Sequence, residues 1–598
     1  MQNSSAQHEL QDRYSQRKEK FEQDLKKQNR SLGYIGFLRL IVAILAVYIL
    51  VLGIREYKLL FVVSGLMVIL FFVLVSYHKN QSDKKKLLQK LVSLNKNELS
   101  CLDHSFTDNQ SGSEFISSDH PWSFDLDLFG EGSIYQYINR TSTHGGADSL
   151  AAYLDQIPKD QIEIAERQNI LQELSPMLDL RQLFIARAGM FKKDKDEVQE
   201  LLEWVKQSSY IQKHPWLKFV SIGMSVISLL IIIAGFFDPG LFGYLLPVLF
   251  INWFFLSPFL VKTNRYHEQV SKKHSFLSTY AELMLILSGQ EFSHRKLQDI
   301  QLLSKAGCSS IKRLSKLLGM FDQRLNLLMG VLMNSLFLFD FHMLRLLSKW
   351  TNQHSEELGK WLDVVSEMDA LFSLAGFSYN HPSFTYPEVT AEQRGFLAKN
   401  LGHPMIPQEK RVDNSLEITK EKVVLITGAN MAGKSTFLRS VGVNMVLSYA
   451  GCPVCGDQFV TGPYQLFSSM RTADSLKDEE SYFLAEIKRL KRIVDKMEDG
   501  TPMLILLDEV LKGTNTTDKQ KGSRGLIEKS ITHDILCFIA THDLALGDMQ
   551  DQSKGAIVNY CFESYIKDLE LTFDYKIQTG IAKNMNASFL MKKMGIMK

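Results

Sequence analysis

Four stretches of this chain run without a charged side chain: Leu40 to Ile54, extended upstream by Tyr34 to Leu38 around Arg39, then Leu59 to Tyr77, Phe219 to Phe237 and Gly240 to Val261. A helix needs about 20 apolar residues to cross the hydrocarbon core of a bilayer. Three of the runs approach or reach that length, and the first spans with Arg39 snorkelling toward the interface. They fall into two hairpins, joined by Arg55 to Lys58 and by Asp238-Pro239. Basic residues flank the outer ends: Lys26, Lys27 and Arg30, then Lys79 and Lys84 to Lys86, then Lys213 and Lys218, then Lys262 and Arg265. Buried core helices have no need of basic clusters on both sides of two hairpins. The pattern predicts a multi-pass protein of the cell membrane, held in the lipid bilayer by two transmembrane helical hairpins, with its long segments on the cytoplasmic side.

At 598 residues the chain is too long for one hydrophobic core. Its 68 Lys+Arg against 66 Asp+Glu leave a net charge of +2, so no chain-wide field favours a nucleic-acid partner and any DNA contact has to be local. Six cysteines and a long polar stretch ahead of the first apolar run, with no cleavable signal, fit a reducing compartment.

Between the apolar runs the texture changes several times. Residues 1–36 read as an N-terminal cytosolic helix, solvated and without a special role, and 37–77 as the first hairpin. Residues 78–118 read as a helix and linker, with Thr107 to Asp119 dense in Ser, Asp and Gly. Apolar positions at helical spacing make 119–215 a helical domain, which the second hairpin, 216–262, interrupts. Residues 263–400 read as a helical lever region, where the run Leu314 to Leu347 predicts a long rod-like helix. From 401 to 598 short β-rich runs alternate with helical patterns, the signature of a parallel α/β sheet.

Within that last segment, the apolar strand Lys422 to Thr427 feeds directly into Gly428, Ala429, Asn430, Met431, Ala432, Gly433, Lys434, Ser435 and Thr436, which open a helix. This is a phosphate-binding loop in its proper strand-to-helix setting. Its glycines let backbone N–H groups turn toward phosphate oxygens at a helix N-terminus, where aligned peptide dipoles favour an anion. Lys434 adds a point charge for the terminal phosphates of ATP, and Ser435 a hydroxyl for Mg²⁺. A second apolar strand, Pro502 to Leu507, ends in paired carboxylates; Asp508 is assigned to the metal and Glu509 to polarising the attacking water. A third, Ile535 to Ala540, runs into Thr541 and His542, placing a histidine at a strand end where it can sense the γ-phosphate or the water.

These residues resemble the MutS family more closely than other P-loop ATPases. Thr427 to Arg439 is similar to that family's TGxNMxGKSTFLR, with Asn430-Met431 as the distinguishing pair. Asp508-Glu509 through Gly513-Thr514 to Asp518 resembles its DExxxGTxxxD, Ala540-Thr541-His542 its ATH element, and Leu571 to Lys576 with Gly580 and Ala587 its closing β-hairpin and helix. Upstream, Ser133 to Leu154 with Asn139 to Gly145, then Arg167-Gln168, resembles the start of the family's helical core; Leu362 to Ala375 resembles the return helix and His403-Pro404 the approach to the ATPase. The resemblance implies a MutS-type α/β P-loop ATPase domain C-terminal to an α-helical core and lever domain, here combined with two transmembrane hairpins. It also implies an ATP-bridged homodimer through the ATPase domains, with Ser481 reaching the γ-phosphate held by the opposite subunit.

Three departures accompany it. The family's N-terminal mismatch-reading and connector domains have no counterpart, with no Phe-x-Glu placed to wedge into a base stack. The second hairpin sits inside the helical core. The trans-acting signature reads Glu479-Glu480-Ser481-Tyr482-Phe483-Leu484-Ala485-Glu486, with two carboxylates beside the sensing serine. Two function classes follow: a membrane-anchored ATPase acting on DNA, in mismatch repair or a related transaction, or a mechanochemical membrane ATPase whose motor works on a protein partner. A transporter half of the ABC type shares the sheet and the acids, but there is no LSGGQ-like signature between the two nucleotide motifs. The lone pair Cys452 and Cys455 reads as packed cysteines rather than a zinc or redox site, and Lys312, Arg313 and Lys316 as a solvated basic face.

Overall fold

The computed structural model describes residues 2–55, 59–190, 196–206, 214–271, 273–390, 395–471, 482–511, 514–567 and 570–583. Its first two helices ignore the boundaries drawn at 36 and 77. α1 (Gln2–Arg55) carries the charged N-terminal segment straight into the first apolar run, and α2 (Leu59–Leu102) carries the second straight out into the basic segment beyond. No proline interrupts either, so nothing stops the helix where polarity changes. At 1.5 Å per residue they are rods of roughly 80 and 65 Å, packed side by side. Most of the first connector, 56–58, lies outside the described residues.

The charged end of this pair is not a free, solvated stalk as expected. Leu10 and Tyr14 are buried with Leu102 and Leu178, and the Tyr14 hydroxyl donates to Asn380 Oδ1 at 2.7 Å. Arg17 pairs with Asp179 at 2.7 Å and donates to Gln182. Near the end of α2, Glu98 accepts from Arg140 at 2.8 Å and from Asn380 at 2.8 Å, in a buried pair. Burial alone would raise the Glu98 carboxyl, but the Arg140 guanidinium and the hydrogen bonds outweigh it and hold it below its ordinary range.

Among the described residues, the first part of the core is formed by α3 (Ile134–Ile138), α4 (His144–Asp155), α5 (Gln161–Leu174), α6 (Leu178–Ala188) and α7 (Asp196–Lys206). The second hairpin follows. α8 (Trp216–Phe237) is one helix, but the fourth apolar run is not: a 3₁₀ turn at Pro239–Tyr244 precedes α9 (Leu245–Leu256), and a second at Ser257–Phe259, with Pro258 at its start, separates it from α10 (Leu260–Glu268). Among the described residues, four helical segments are by length and composition apolar enough to cross a membrane: Ala6–Gly53, Leu60–Leu102, Trp216–Phe237 and Pro239–Glu268.

The core resumes with α11 (Lys273–Ser288) and α12 (Arg295–Asp322), then α13 (Leu327–Phe337), α14 (Phe339–His354) and α15 (Glu357–Asn380). The single rod expected over Leu314 to Leu347 is broken twice. The chain leaves helical geometry at Asn326, which caps α13 through its side chain, and again at Leu338, whose φ of 49° turns α14 away by 85°. The two halves of the core close on Asp369 of α15, which is fully buried. Its carboxylate accepts from the backbone N of Ser142 at 2.9 Å, and from the N and hydroxyl of Thr143 at 2.7 Å each, at the N-terminus of α4.

Two sheets make the C-terminal domain. β1 (Glu388–Val389), β2 (Phe396–Leu401), β3 (Asn414–Ile418) and β5 (Gln458–Thr461) form one of four strands in the order β1-β5-β2-β3. The boundary at 401 therefore cuts a strand, and the sheet begins earlier. β4 (Val423–Gly428) leads into α16 (Lys434–Tyr449); β6 (Gln465–Ser469), α17 (Tyr482–Glu498), β7 (Met503–Asp508), α18 (Thr516–Thr532), β8 (Ile535–Thr541), the short α19 (Met549–Gln552), β9 (Ile557–Lys567) and β10 (Glu570–Thr579) follow among the described residues. The larger sheet has the order β10-β9-β4-β8-β7-β6, parallel throughout except for the β9–β10 hairpin. β4 and β8 are buried along their whole length, which is why both read as unbroken apolar runs rather than alternating ones.

Candidate functional site

β4, β8 and β7 are neighbours running in the same direction, so their carboxyl ends emerge together on one sheet edge. Thr427 pairs with Thr541, and Asp508 with Ala540. That register delivers the loop from Gly428, the His542 turn and the Asp508-Glu509 pair to one place. The Ser435 hydroxyl, on the first turn of α16, donates to Asp508 Oδ2 at 2.5 Å, which joins two motifs more than seventy residues apart in sequence.

Lys434 is almost wholly buried, and its ammonium donates to the carbonyls of Gly428 at 2.8 Å and Ala429 at 2.9 Å, lying 3.4 Å from His542 Nδ1. His542 Nδ1 is 3.0 Å from the Gly428 carbonyl, while its Nε2 pairs with the Glu509 carboxylate. The histidine thus touches both the loop and the second acid. Glu509 itself is fixed by its backbone N–H, which donates to Ala540 O at 2.9 Å.

The two loops hold strained backbone. Gly433 has φ 110°, open to glycine without cost, but Met431 at 68°, Glu509 at 55° and Leu511 at 61° are left-handed residues with side chains. Each costs of order 1–3 kcal/mol, and such residues cluster where a loop is preorganised for a ligand. Asn430 and Met431, the pair that marks the loop in sequence, stand exposed at its crest, Met431 at 80%. Ala429 and Ala432 are buried beneath, and Thr436 is exposed on the first turn of α16.

Ser481, Glu479 and Glu480 lie outside the described residues. Glu486, the last residue of the same signature, is buried, and its Oε1 accepts from the Leu511 backbone N at 2.5 Å. It braces the turn after the acidic pair. A second residue that sequence reading passed over is Asp125, in the loop before α3. Fully buried, its carboxylate accepts from the Ser468 hydroxyl at 2.7 Å and the backbone N of Met470 and Arg471 at 3.1 and 3.0 Å, and pairs with Arg489 at 2.9 Å. The helical core thereby grips the end of β6 where the segment carrying Ser481 begins. Arg167 of α5 makes a second junction by donating to Tyr449 O at 2.8 Å, at the end of α16.

Cys452 and Cys455 are buried, and burial pushes the Cys455 thiol up to about 12, so it stays protonated and inert. Among the described residues no cluster of three or more His, Cys, Asp or Glu is arranged to hold a metal. Ser435 and Asp508 instead offer two hard oxygens in contact, the donor chemistry that suits a magnesium ion sharing its remaining positions with phosphate and water.

Fold and site together define a mixed α/β domain seated on a helical core, with a glycine-rich loop, an acidic strand end and a histidine gathered at one sheet edge. Residues 424–593 match the family model for MutS domain V. Over this C-terminal domain the chain is similar to the MutS family. It is 29% identical over 246 residues to the DNA mismatch repair protein MutS of Haloquadratum walsbyi, 39% of this chain and 25% of that one. It is 32% identical over 209 residues to MutS of Chlorobium chlorochromatii, covering 33% and 23%, and 25% identical over 257 residues to the mismatch repair protein MSH3 of Debaryomyces hansenii, covering 40% and 25%. The chain thus spans about a quarter of the length of each of these relatives.

Proposed function

We propose that this protein is a membrane-anchored, Mg²⁺-dependent ATPase of the MutS type that couples its nucleotide cycle to DNA. The observation that carries the nucleotide reading is the contact between Ser435 and Asp508, which puts the phosphate loop and the acidic strand end within reach of one metal. Ser435 and Asp508 hold the ion, which when bound neutralises charge on the β- and γ-phosphates. The backbone N–H groups of residues 428–433 and the start of α16 receive phosphate oxygens, and Lys434 turns from the loop carbonyls to the terminal phosphates. Glu509, steadied by His542, orients the attacking water. Met431, exposed at the loop crest, supports pairing of two ATPase domains across ATP, with Ser481 supplied in trans.

Membrane anchoring rests on four apolar helical segments whose large side chains, such as Phe72, Phe219 and Phe250, face outward. DNA as substrate rests on the family and on the relatives' names. Lys434→Ala is expected to abolish ATP binding, whereas Glu509→Gln keeps binding and slows hydrolysis by orders of magnitude. Equal loss of binding in both variants overturns these roles. Anisotropy titrations at fixed low salt with homoduplex, mismatched and branched DNA test the substrate, and absence of salt-sensitive binding to all three removes DNA.

A mechanochemical reading has its own support. The buried Glu98–Arg140 pair ties the hairpin helix α2 to the core, and Asp125 ties the core to the ATPase sheet, giving a continuous mechanical path. On that reading ATP changes crosslinking near Asp238 in DNA-free vesicles.

A further inference from the structure

α13 has its faces reversed. Its small and polar residues Gly330, Asn334 and Ser335 are buried, Ser335 against Trp253 of the hairpin and Gly330 and Asn334 against the Arg324 and Asp340 backbone at the ends of the segment, while Leu328, Met329, Val331 and Leu332 are exposed, Leu328 at 81%. A helix on a water-facing surface arranges these the other way round. The two hairpin helices it packs against share the inversion: α8 buries Ser221, Ser228 and Gly235 and exposes Phe219 and Leu230, and α9 buries Asn252 and exposes Phe250 and Phe254. Small and polar residues inside, with large apolar ones outside, is how helices associate in lipid.

The end of α13 is finished for the same solvent. Its last three carbonyls, unmatched within the helix, are met by side chains of the hairpin. Asn252 Nδ2 donates to Ser335 O at 2.6 Å and approaches Leu336 O at 3.4 Å, and Ser225 Oγ lies 2.8 Å from Phe337 O. Trp253 Nε1 donates to the Ser335 hydroxyl at 2.8 Å. Where water is absent, backbone carbonyls have to find partners in the protein.

The segment enters and leaves on one side. Asp322, just before it, pairs with His267 of α10 at 2.8 Å, and Arg324 at its entrance pairs with the fully buried Asp340 at its exit, 2.8 Å apart. α14 then runs back into the core, where Trp350 Nε1 donates to Ser310 O of α12 at 2.9 Å. With 11 residues, α13 is roughly 16 Å long, half the hydrocarbon thickness of about 30 Å.

We propose that α13 is a further membrane element, dipping into the leaflet on the ATPase side beside the second hairpin without crossing, its outer face covered by acyl chains. This rests on the membrane reading of the hairpins and adds to it a surface that the nucleotide-driven core touches directly, because α12 and α14 flank the insertion.

The test uses full-length protein in phosphatidylcholine–phosphatidylglycerol vesicles. Cys308, the one cysteine that is not buried, is replaced by Ser, and an environment-sensitive fluorophore is placed at Leu328→Cys or, as reference, at Leu230→Cys on α8. Doxyl-labelled lipids are expected to quench the label at 328 about as strongly as that at 230, more from a shallow than from a deep doxyl, while aqueous iodide leaves both bright. Quenching of 230 by lipid with 328 open to iodide overturns the insertion and leaves the hairpins in place. A label at 328 shielded from both quenchers marks a protein contact, such as a second copy, and equally overturns it. Iodide quenching of both positions removes the membrane reading itself.

Discussion

Replacing Asp125 with alanine is the sharpest probe of how the helical core governs the six-stranded sheet. The substitution removes four interactions at once. The Arg489 guanidinium, its side chain 16% exposed, loses its carboxylate at 2.9 Å, and the Ser468 hydroxyl and the Met470 and Arg471 amides lose their acceptor. Breaking one side of a buried ion pair costs about 3–5 kcal/mol, because the surviving charge stays buried without compensation. The weaker contacts Arg489 keeps, to the carbonyls of Arg471 at 3.3 Å and His120 at 3.4 Å, place the expected loss toward the lower end. A local loss of about 3 kcal/mol corresponds to roughly a hundredfold fall in hydrogen-exchange protection. Native-state exchange on the full-length protein in detergent reads this at Met470 and Arg471, with the β9–β10 hairpin as an internal reference. Arg489→Met in the Asp125→Ala background is expected to recover part of the loss, since it withdraws the orphaned charge. A fall of less than about tenfold at those amides would refute the reasoning, for it would mean the junction contributes no more than a surface pair.

A Cβ at Gly146 would sit 2.3 Å from Asp369 Oδ2, so Gly146→Ala is expected to lower stability by about 1–3 kcal/mol, visible as a lower denaturant midpoint, whereas an unchanged midpoint would show that the α4–α15 closure gives way freely. Burial depresses His381 from 6.5 to about 4, its ring meeting Tyr137 Oη and Phe377 O at 2.8 Å each. The folded state therefore holds fewer protons there than the unfolded chain. The histidine's contribution is complete above about 6.5 and is lost as pH falls toward 4, so the stability gap between wild type and His381→Gln should shrink across that window; a constant gap in urea titrations would contradict it.

The glycine-rich loop, the acidic strand end and the histidine turn were legible in the sequence as structural features because each follows local rules. A fully buried parallel strand needs an unbroken apolar run, a tight turn needs glycine, and three such strand ends in order imply a shared sheet edge. The apolar hairpins were legible for the same kind of reason, since a window of side chains sets hydropathy. What could not be read were pairings between residues far apart along the chain. Asp125 is one acid among many until β6 and α17 are folded beside it, and Glu486 belongs to an altered signature until it is seen bracing Leu511. Tyr14 and Arg17 look like parts of a solvated charged helix because the face that docks them is carried by residues such as Asn380 and Gln182.

The sequence by itself determined which strands carry the site, which residues crown them and which stretches are too apolar for water, because backbone geometry and transfer free energy act residue by residue. Only the tertiary structure decided that Ser435 touches Asp508, that the long helical run breaks at Leu338 with its polar side turned inward, and that the core is bolted to both the hairpin and the six-stranded sheet. Those outcomes depend on which distant groups burial brings within hydrogen-bonding distance, and a desolvated charge accepts only a partner that the whole fold delivers.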